Sequence, residues 1–170
     1  MLHNEEYFDI VDDNGKIIGK ALRSECHGNP ELIHRTVHAV IYHSDGRILL
    51  QKRSRNKDIQ PDKWDTAVGG HLDSGEDYKT AIVREIKEEV GILVNFSELE
   101  YITDAKIRNR IESENIKIFK LVSNGPFKFQ QEEISEIKFW KIDELCNAVK
   151  KTPDIFTPNL LTELKLIGVI

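Results

Sequence analysis

The residues best suited to chemistry are the acids of Arg84-Glu85-Ile86-Lys87-Glu88-Glu89 and the glycine loop before them, Gly69-Gly70-His71-Leu72-Asp73-Ser74-Gly75-Glu76. On a helix, Glu85, Glu88 and Glu89 stand at i, i+3 and i+4, within an arc of roughly 100°. Stability alone argues against that arrangement. The macrodipole disfavours negative charge in the last turns, and Glu85 and Glu89 repel one another at i,i+4. Arg84, four residues before Glu88, relieves only part of this. A bound Mg²⁺ or Mn²⁺ removes the conflict, because hard cations take carboxylate oxygens. The competing account of the same acids is a solvated helix face. The glycine loop favours the first: a divalent-metal site for cutting or rearranging a diphosphate.

The elements that must position these groups follow from periodicity. The helix is expected to begin near Ser74, since Ser74 and Asp77 have capping-box-like spacing. Ile82, Ile86 and Val90 give it a buried stripe, and Gly91 is a natural C′ residue. Upstream, Asp13-Asn14-Gly15 in residues 1–22 predicts a hairpin between Tyr7–Val11 and Lys16–Ala21. Residues 23–31 read as a loop. A second hairpin runs from Thr36 to Tyr42 and back from Arg47 to Lys52, and its uninterrupted Ile48-Leu49-Leu50 reads as a strand buried on both faces. Trp64–Val68 is a short strand delivering Gly69 and Gly70. Downstream, 101–107 and 111–122 read as paired strands, 137–140 as another, and Asp143 as the cap of a helix through Val149. Pro158–Ile167 is a closing amphipathic helix. A mixed sheet between helices fits this order.

Between the second hairpin and Trp64 lies Arg53-Ser54-Arg55-Asn56-Lys57-Asp58, a basic loop ending at Pro61. Basic side chains beside an acidic metal site would hold phosphate oxygens; an ordinary solvated loop is the alternative. The net charge of −5 over 170 residues argues against a nucleic-acid backbone binder. No apolar run approaches the roughly 20 residues of a membrane span, and the N-terminus lacks a signal peptide's apolar core. Cys26 and Cys146 make no disulfide framework. One cytoplasmic domain over 1–170 is expected.

From Gly70 the chain reads G-x5-E-x7-R-E-(apolar)-x-E-E-x-G-(apolar), filled by Gly70, Glu76, Arg84, Glu85, Ile86, Glu88, Glu89, Gly91 and Ile92. Every fixed position of this pattern is present, and it resembles the Nudix box. The resemblance implies an α/β/α sandwich that cleaves nucleoside diphosphate derivatives with Mg²⁺, or Mn²⁺. It makes Glu85, Glu88 and Glu89 metal ligands, with a carbonyl of Gly69 or Gly70, and gives Arg84 and Glu76 the task of orienting loop and helix. The general base would come from outside the box. Glu133, then Glu136, Glu112 and Glu114, are the candidates.

The flanks resemble one branch of that superfamily, the type I isopentenyl-diphosphate isomerases, over roughly residues 5–145. His27, His34 and His71 match that family's metal-binding histidines, and Glu112 and Glu114 its paired acids, which alternation would put on one face of a strand. Arg53, Lys57 and Pro61-x-x-Trp64 match its diphosphate-holding loop, and Arg23 another basic contact. Three histidines with acids imply a second, N/O-type metal position. One departure matters for chemistry. The isomerases carry a proton-transferring cysteine where this chain has Gly69, which has no side chain for that task. An isomerase-like frame with an intact hydrolase helix is the resulting expectation, with a prenyl-diphosphate enzyme as the alternative and a homodimer implied by the family.

Overall fold

A computed structural model describes residues 5–57 and 59–170; Met1–Asn4 and Asp58, the last residue of the basic loop, lie outside the described residues. β1 (Tyr7–Val11) and β2 (Ile17–Leu22) form the expected antiparallel ribbon. Its turn is held by Asp12, whose Oδ1 accepts from the amides of Asn14 and Lys16. Where a loop was expected, Arg23–Cys26 closes one helical turn, α1. The Glu25 carboxylate accepts from the Leu22 amide and starts it.

The main sheet is built on β3 (Ile33–Tyr42). One edge of β3 pairs in parallel with β8 (Ser113–Val122), which pairs with β7 (Glu100–Arg108). The other edge is shared antiparallel by β6 (Val68–His71) and β4 (Ile48–Arg53). β4 also carries β5 (Trp64–Thr66) and β9 (Ile134–Trp140). The expected single strand Trp64–Val68 therefore breaks at Ala67, where the chain leaves β4 for β3. β9 begins earlier than expected, and β8 begins later. Asn109 Oδ1 accepts from the amides of both Ile111 and Glu112 and holds them in a turn, so Glu112 precedes the strand.

Alternation along β3 separates the two faces. Val37, Ala39 and Ile41 pack with Leu49, Phe119 and Leu121 against Ala81, Ile82, Ile86 and Val90 of α2 (Tyr78–Val90). Val40 packs with Ile48, Leu50, Ile116 and Ile118 against α3 (Ile142–Lys151) and α4 (Pro158–Leu166). Helices on both sides of a mixed sheet make the α/β/α sandwich. No helix among the described residues is long and apolar enough to cross a membrane.

Two caps differ from expectation. α2 starts after Asp77, whose carboxylate accepts from the Thr80 amide at 2.7 Å, while the Ser74 hydroxyl is spent on Asp9. Asp143 lies inside the first turn of α3, with Lys141 in the cap position. It still favours the helix, because an acid there complements the macrodipole. Gly91 ends α2 in the left-handed region at φ 71°, as expected.

α4 is tied to the sheet by a buried polar pair: His38 Nδ1 of β3 lies 2.5 Å from Glu163 Oε2. Burial alone would lower the His38 pKa, but the Glu163 charge and hydrogen bond win and push it up to about 9. A raised folded-state pKa stabilises fully below the unfolded value of about 6.5 and is lost as pH rises through about 9. The wild type should therefore lose stability between pH 6.5 and 9.5 relative to His38→Gln, as read by urea denaturation. Parallel pH profiles for the two proteins would contradict a charged His38.

Candidate active site

β6 divides the chemistry between the two faces of the sheet. In the register, Gly69 faces His38, Gly70 faces Val37 and His71 faces Thr36. Side chains alternate along strands, so Gly70 turns to the α2 side while Gly69 and His71 turn to the α4 side.

On the α2 side, Glu85 closes directly over Gly70. A Cβ at residue 70 would stand 1.9 Å from the Glu85 carboxyl carbon, so only glycine admits that carboxylate. Arg84 organises the group. Its Nε and a terminal nitrogen donate to both oxygens of Glu76, at 2.9 and 2.8 Å. The other terminal nitrogen donates to Glu85 at 2.7 Å and Glu88 at 3.1 Å. A further bond of 3.0 Å reaches the His71 carbonyl. Glu89 accepts from Gln51 Nε2 at 2.9 Å and from the Gly69 amide at 3.3 Å. Burial, then the charge of Glu85, pushes the Glu89 pKa up to about 8. Burial raises Glu85 as well, against the pull of Arg84. One guanidinium thus serves three carboxylates, with Glu89 as a fourth acid beside them, and the excess negative charge suits a divalent cation. Glu88 is the exposed member.

On the α4 side, His27, His34 and His71 each offer a ring nitrogen within 4.8 Å of the others. His27 Nε2 and His71 Nε2 lie 3.3 Å apart. Glu114 Oε1 lies 3.3 Å from His71 Nε2 and 3.5 Å from His34 Nε2. His34 Nδ1 faces the Leu32 carbonyl, which can only accept, so Nδ1 carries the proton. Its buried Nε2 is left with no hydrogen-bond partner and is aimed at this group. A ring fixed through one nitrogen and free at the other is the arrangement a metal ligand needs. Burial, then the charges of His71 and Arg23, pushes the His27 pKa down to about 4, so that ring is neutral. Burial opposes ionisation of Glu114, but the His34 and His71 rings beside it hold its carboxyl well below the usual range. Glu112 faces Glu114 from the preceding turn and bonds Asn159 of α4; burial, then Glu114, raises its pKa.

Arg53 ends β4, Lys57 lies in the loop that follows it, and Arg23 opens α1. Arg53 donates to the Ile59 carbonyl at 3.1 Å and to Asp65 at 3.3 Å. Lys57 ion-pairs with Glu133, whose carbonyl accepts from the Ser54 amide. Glu133 therefore sits on the basic loop. Arg23 pairs with Glu6 at 2.7 Å, and its charge depresses the pKa of His27 and His71.

Several contributors escaped the sequence reading. Asp9, Gln51, Asp65 and Glu163 each bond across the fold to a site residue or its neighbour. Only Gln51 left a signal, as the first polar residue after Ile48-Leu49-Leu50.

Residues 32–160 match the NUDIX domain model, and the chain belongs to that family, whose enzymes hydrolyse diphosphate linkages with a divalent metal. An uncharacterised Nudix hydrolase of Yersinia pestis is 36% identical over 162 residues, covering 95% of this chain and 85% of that protein. An isopentenyl-diphosphate Δ-isomerase of Clavibacter michiganensis subsp. michiganensis is 28% identical over 172 residues, covering 98% of this chain and 88% of that one. Among solved structures, DR0079 of Deinococcus radiodurans shares the fold, with a TM-score of 0.77 at 24% identity over 95% of this chain and 99% of that chain.

The contact at Gly70 has a measurable consequence. Gly70→Ala should keep the fold, because the Glu85 side chain can swing away from the new methyl group. Mn²⁺ affinity should fall at least about tenfold, the scale for disturbing a metal site's supports. Titration calorimetry giving wild-type affinity would show that Glu85 has no need of its place over Gly70.

Proposed function

We propose that this enzyme cleaves the diphosphate bond of a nucleoside diphosphate derivative, or a related small diphosphate, with Mg²⁺ held by Glu85, Glu88 and Glu89. The observation that carries this reading is the Arg84 network, which gathers Glu85 and Glu88, Glu85 lying against Gly70, while Gln51 and the Gly69 amide hold Glu89; one arginine leaves these acids under-neutralised. A backbone oxygen of Gly70 is a natural further ligand. The bound cation supplies charge neutralisation and a water of lowered pKa. Mn²⁺ could serve in its place.

The remaining roles belong to this chain's own side chains. Arg53 and Lys57 receive the phosphate oxygens, Arg53 already being oriented by Asp65. Lys57 is paired with Glu133, so a phosphate that takes Lys57 releases the Glu133 carboxylate. That release suits Glu133 for taking the proton from water. Gln51 orients Glu89.

A second reading keeps the prenyl diphosphates as substrates. It draws on the histidine–Glu114 cluster, which would hold a second metal with Glu112 nearby, and on the 28% identity to an isomerase. Gly69 weighs against isomerisation, because no side chain there can move a proton. The space before it is tight: a Cβ at residue 69 would lie 3.3 Å from the His38 ring.

Glu88→Gln is expected to lower Mg²⁺-dependent phosphate release at least about a hundredfold, a loss of some 3 kcal/mol in transition-state stabilisation. Glu88 is exposed, so the melting temperature should hold. A phosphate-release screen over nucleoside diphosphates, nucleotide sugars, coenzyme A, thiamine diphosphate and prenyl diphosphates supplies the substrate. Normal turnover by this variant sinks the assignment. NMR detection of dimethylallyl diphosphate from isopentenyl diphosphate would favour the second reading.

A further inference from the structure

The ribbon β1–β2 lies outside the residues that match the family model, yet it reaches the glycine loop. Asp9, in the middle of β1, is buried, and both of its oxygens are engaged. Oδ1 accepts from the Ser74 hydroxyl at 2.7 Å. Oδ2 accepts from the Gly75 amide at 2.9 Å and from Arg35 at 2.8 Å. The same Arg35 nitrogen donates to the Glu76 carbonyl at 3.1 Å, and the Arg35 guanidinium lies 5.6 Å from the centre of the Tyr78 ring, at the start of α2. The Tyr7 carbonyl of β1 accepts from the Ser74 amide at 2.8 Å. Residues 74–76, which make the turn into α2, are thus gripped from outside by one carboxylate and its arginine.

What they grip is the support of the acid cluster. Glu76 is the bidentate partner of Arg84, and Arg84 binds Glu85 and Glu88. Gly75 turns with φ +83°, a conformation without side-chain restraint of its own, so an external anchor is what fixes it. The neighbouring residue serves the other face: the Phe8 ring stacks on His71 at 4.7 Å and 7° and on His34 at 5.4 Å.

We infer that Asp9 is a positioning residue for the hydrolytic centre: its carboxylate fixes Ser74, Gly75 and, through Arg35, Glu76, so that Arg84 holds Glu85 and Glu88 at the spacing a metal requires. This inference rests on the reading of α2 as the metal site. Asp9 touches neither metal nor substrate and acts through the loop.

The test uses the full chain with Asp9→Asn, Ser74→Ala and Asp12→Ala, beside Glu88→Gln. Asp9→Asn keeps the shape but turns an amide nitrogen toward donors. Ser74→Ala removes one contact and stands in if Asp9→Asn does not fold. Asp12→Ala loosens the ribbon turn without touching the loop. The readouts are melting temperature, Mn²⁺ dissociation constant by electron paramagnetic resonance, and kcat separately from KM. Asp9→Asn is expected to weaken Mn²⁺ binding and lower kcat by about ten- to a hundredfold with KM little changed, and Ser74→Ala to do so more mildly. Asp12→Ala should lower the melting temperature alone. The double variant Asp9→Asn/Ser74→Ala should lose less than the product of the two single effects, since both cut one connection. Wild-type Mn²⁺ affinity and kcat in folded Asp9→Asn or Ser74→Ala, with Glu88→Gln inactive, would overturn the inference and leave the metal-site reading standing. An equal loss of Mn²⁺ affinity in Asp12→Ala would also overturn it, reducing Asp9 to a stability role. An active Glu88→Gln would remove the metal-site reading itself.

Discussion

The guanidinium of Arg84 is the constraint around which the site is built. It lies among Glu76, Glu85 and Glu88 and reaches the His71 carbonyl at the end of β6. Burying Glu85 beside a second raised carboxylate, Glu89, is costly unless charge and hydrogen bonds compensate. One arginine compensates in part, and its five donors suit several acids at once, which a lysine's single ammonium centre does not. The bonds to Glu76 raise the Arg84 pKa further, so its charge is permanent. The helix, the loop and the last residue of β6 are thereby fixed relative to one another. The negative charge left over makes the site receptive to a cation.

Strand alternation explains why two clusters with different chemistry lie so close. Gly70 faces the carboxylates of α2, while Gly69 and His71 face His38 and the histidine group. Carboxylate oxygens on one side are of the kind that suits Mg²⁺ or Mn²⁺, and imidazoles with Glu114 on the other the kind that suits a softer, N/O-coordinated ion. Residues 69 and 70 are glycines for different reasons. The first leaves room for an imidazole at 3.3 Å, and the second for a carboxylate that would otherwise collide.

Much of this was legible in the sequence because it is local. The acids at i, i+3 and i+4, the C-terminal Gly91 and the stripe Ile82-Ile86-Val90 all follow from helical period. The turn at Asn14-Gly15 follows from backbone conformation. The helix start was misplaced because Ser74 is a good capping residue in isolation, but its hydroxyl is taken by Asp9, 65 positions away. Glu163 and His38 are 125 positions apart, and no spacing rule joins them. Gln51 and Glu89 meet only because β4 and α2 share the face of the sheet that α2 covers. The short helix Arg23–Cys26 was missed because a single turn has no period to detect.

The central claim is that the acids of α2 form a divalent-metal site. Diffraction at the manganese absorption edge from crystals soaked in Mn²⁺ tests it most directly. The account predicts an anomalous peak in contact with carboxylate oxygens of Glu85, Glu88 or Glu89. A peak confined to His27, His34 and His71, with nothing at the α2 acids in saturating Mn²⁺, would contradict it.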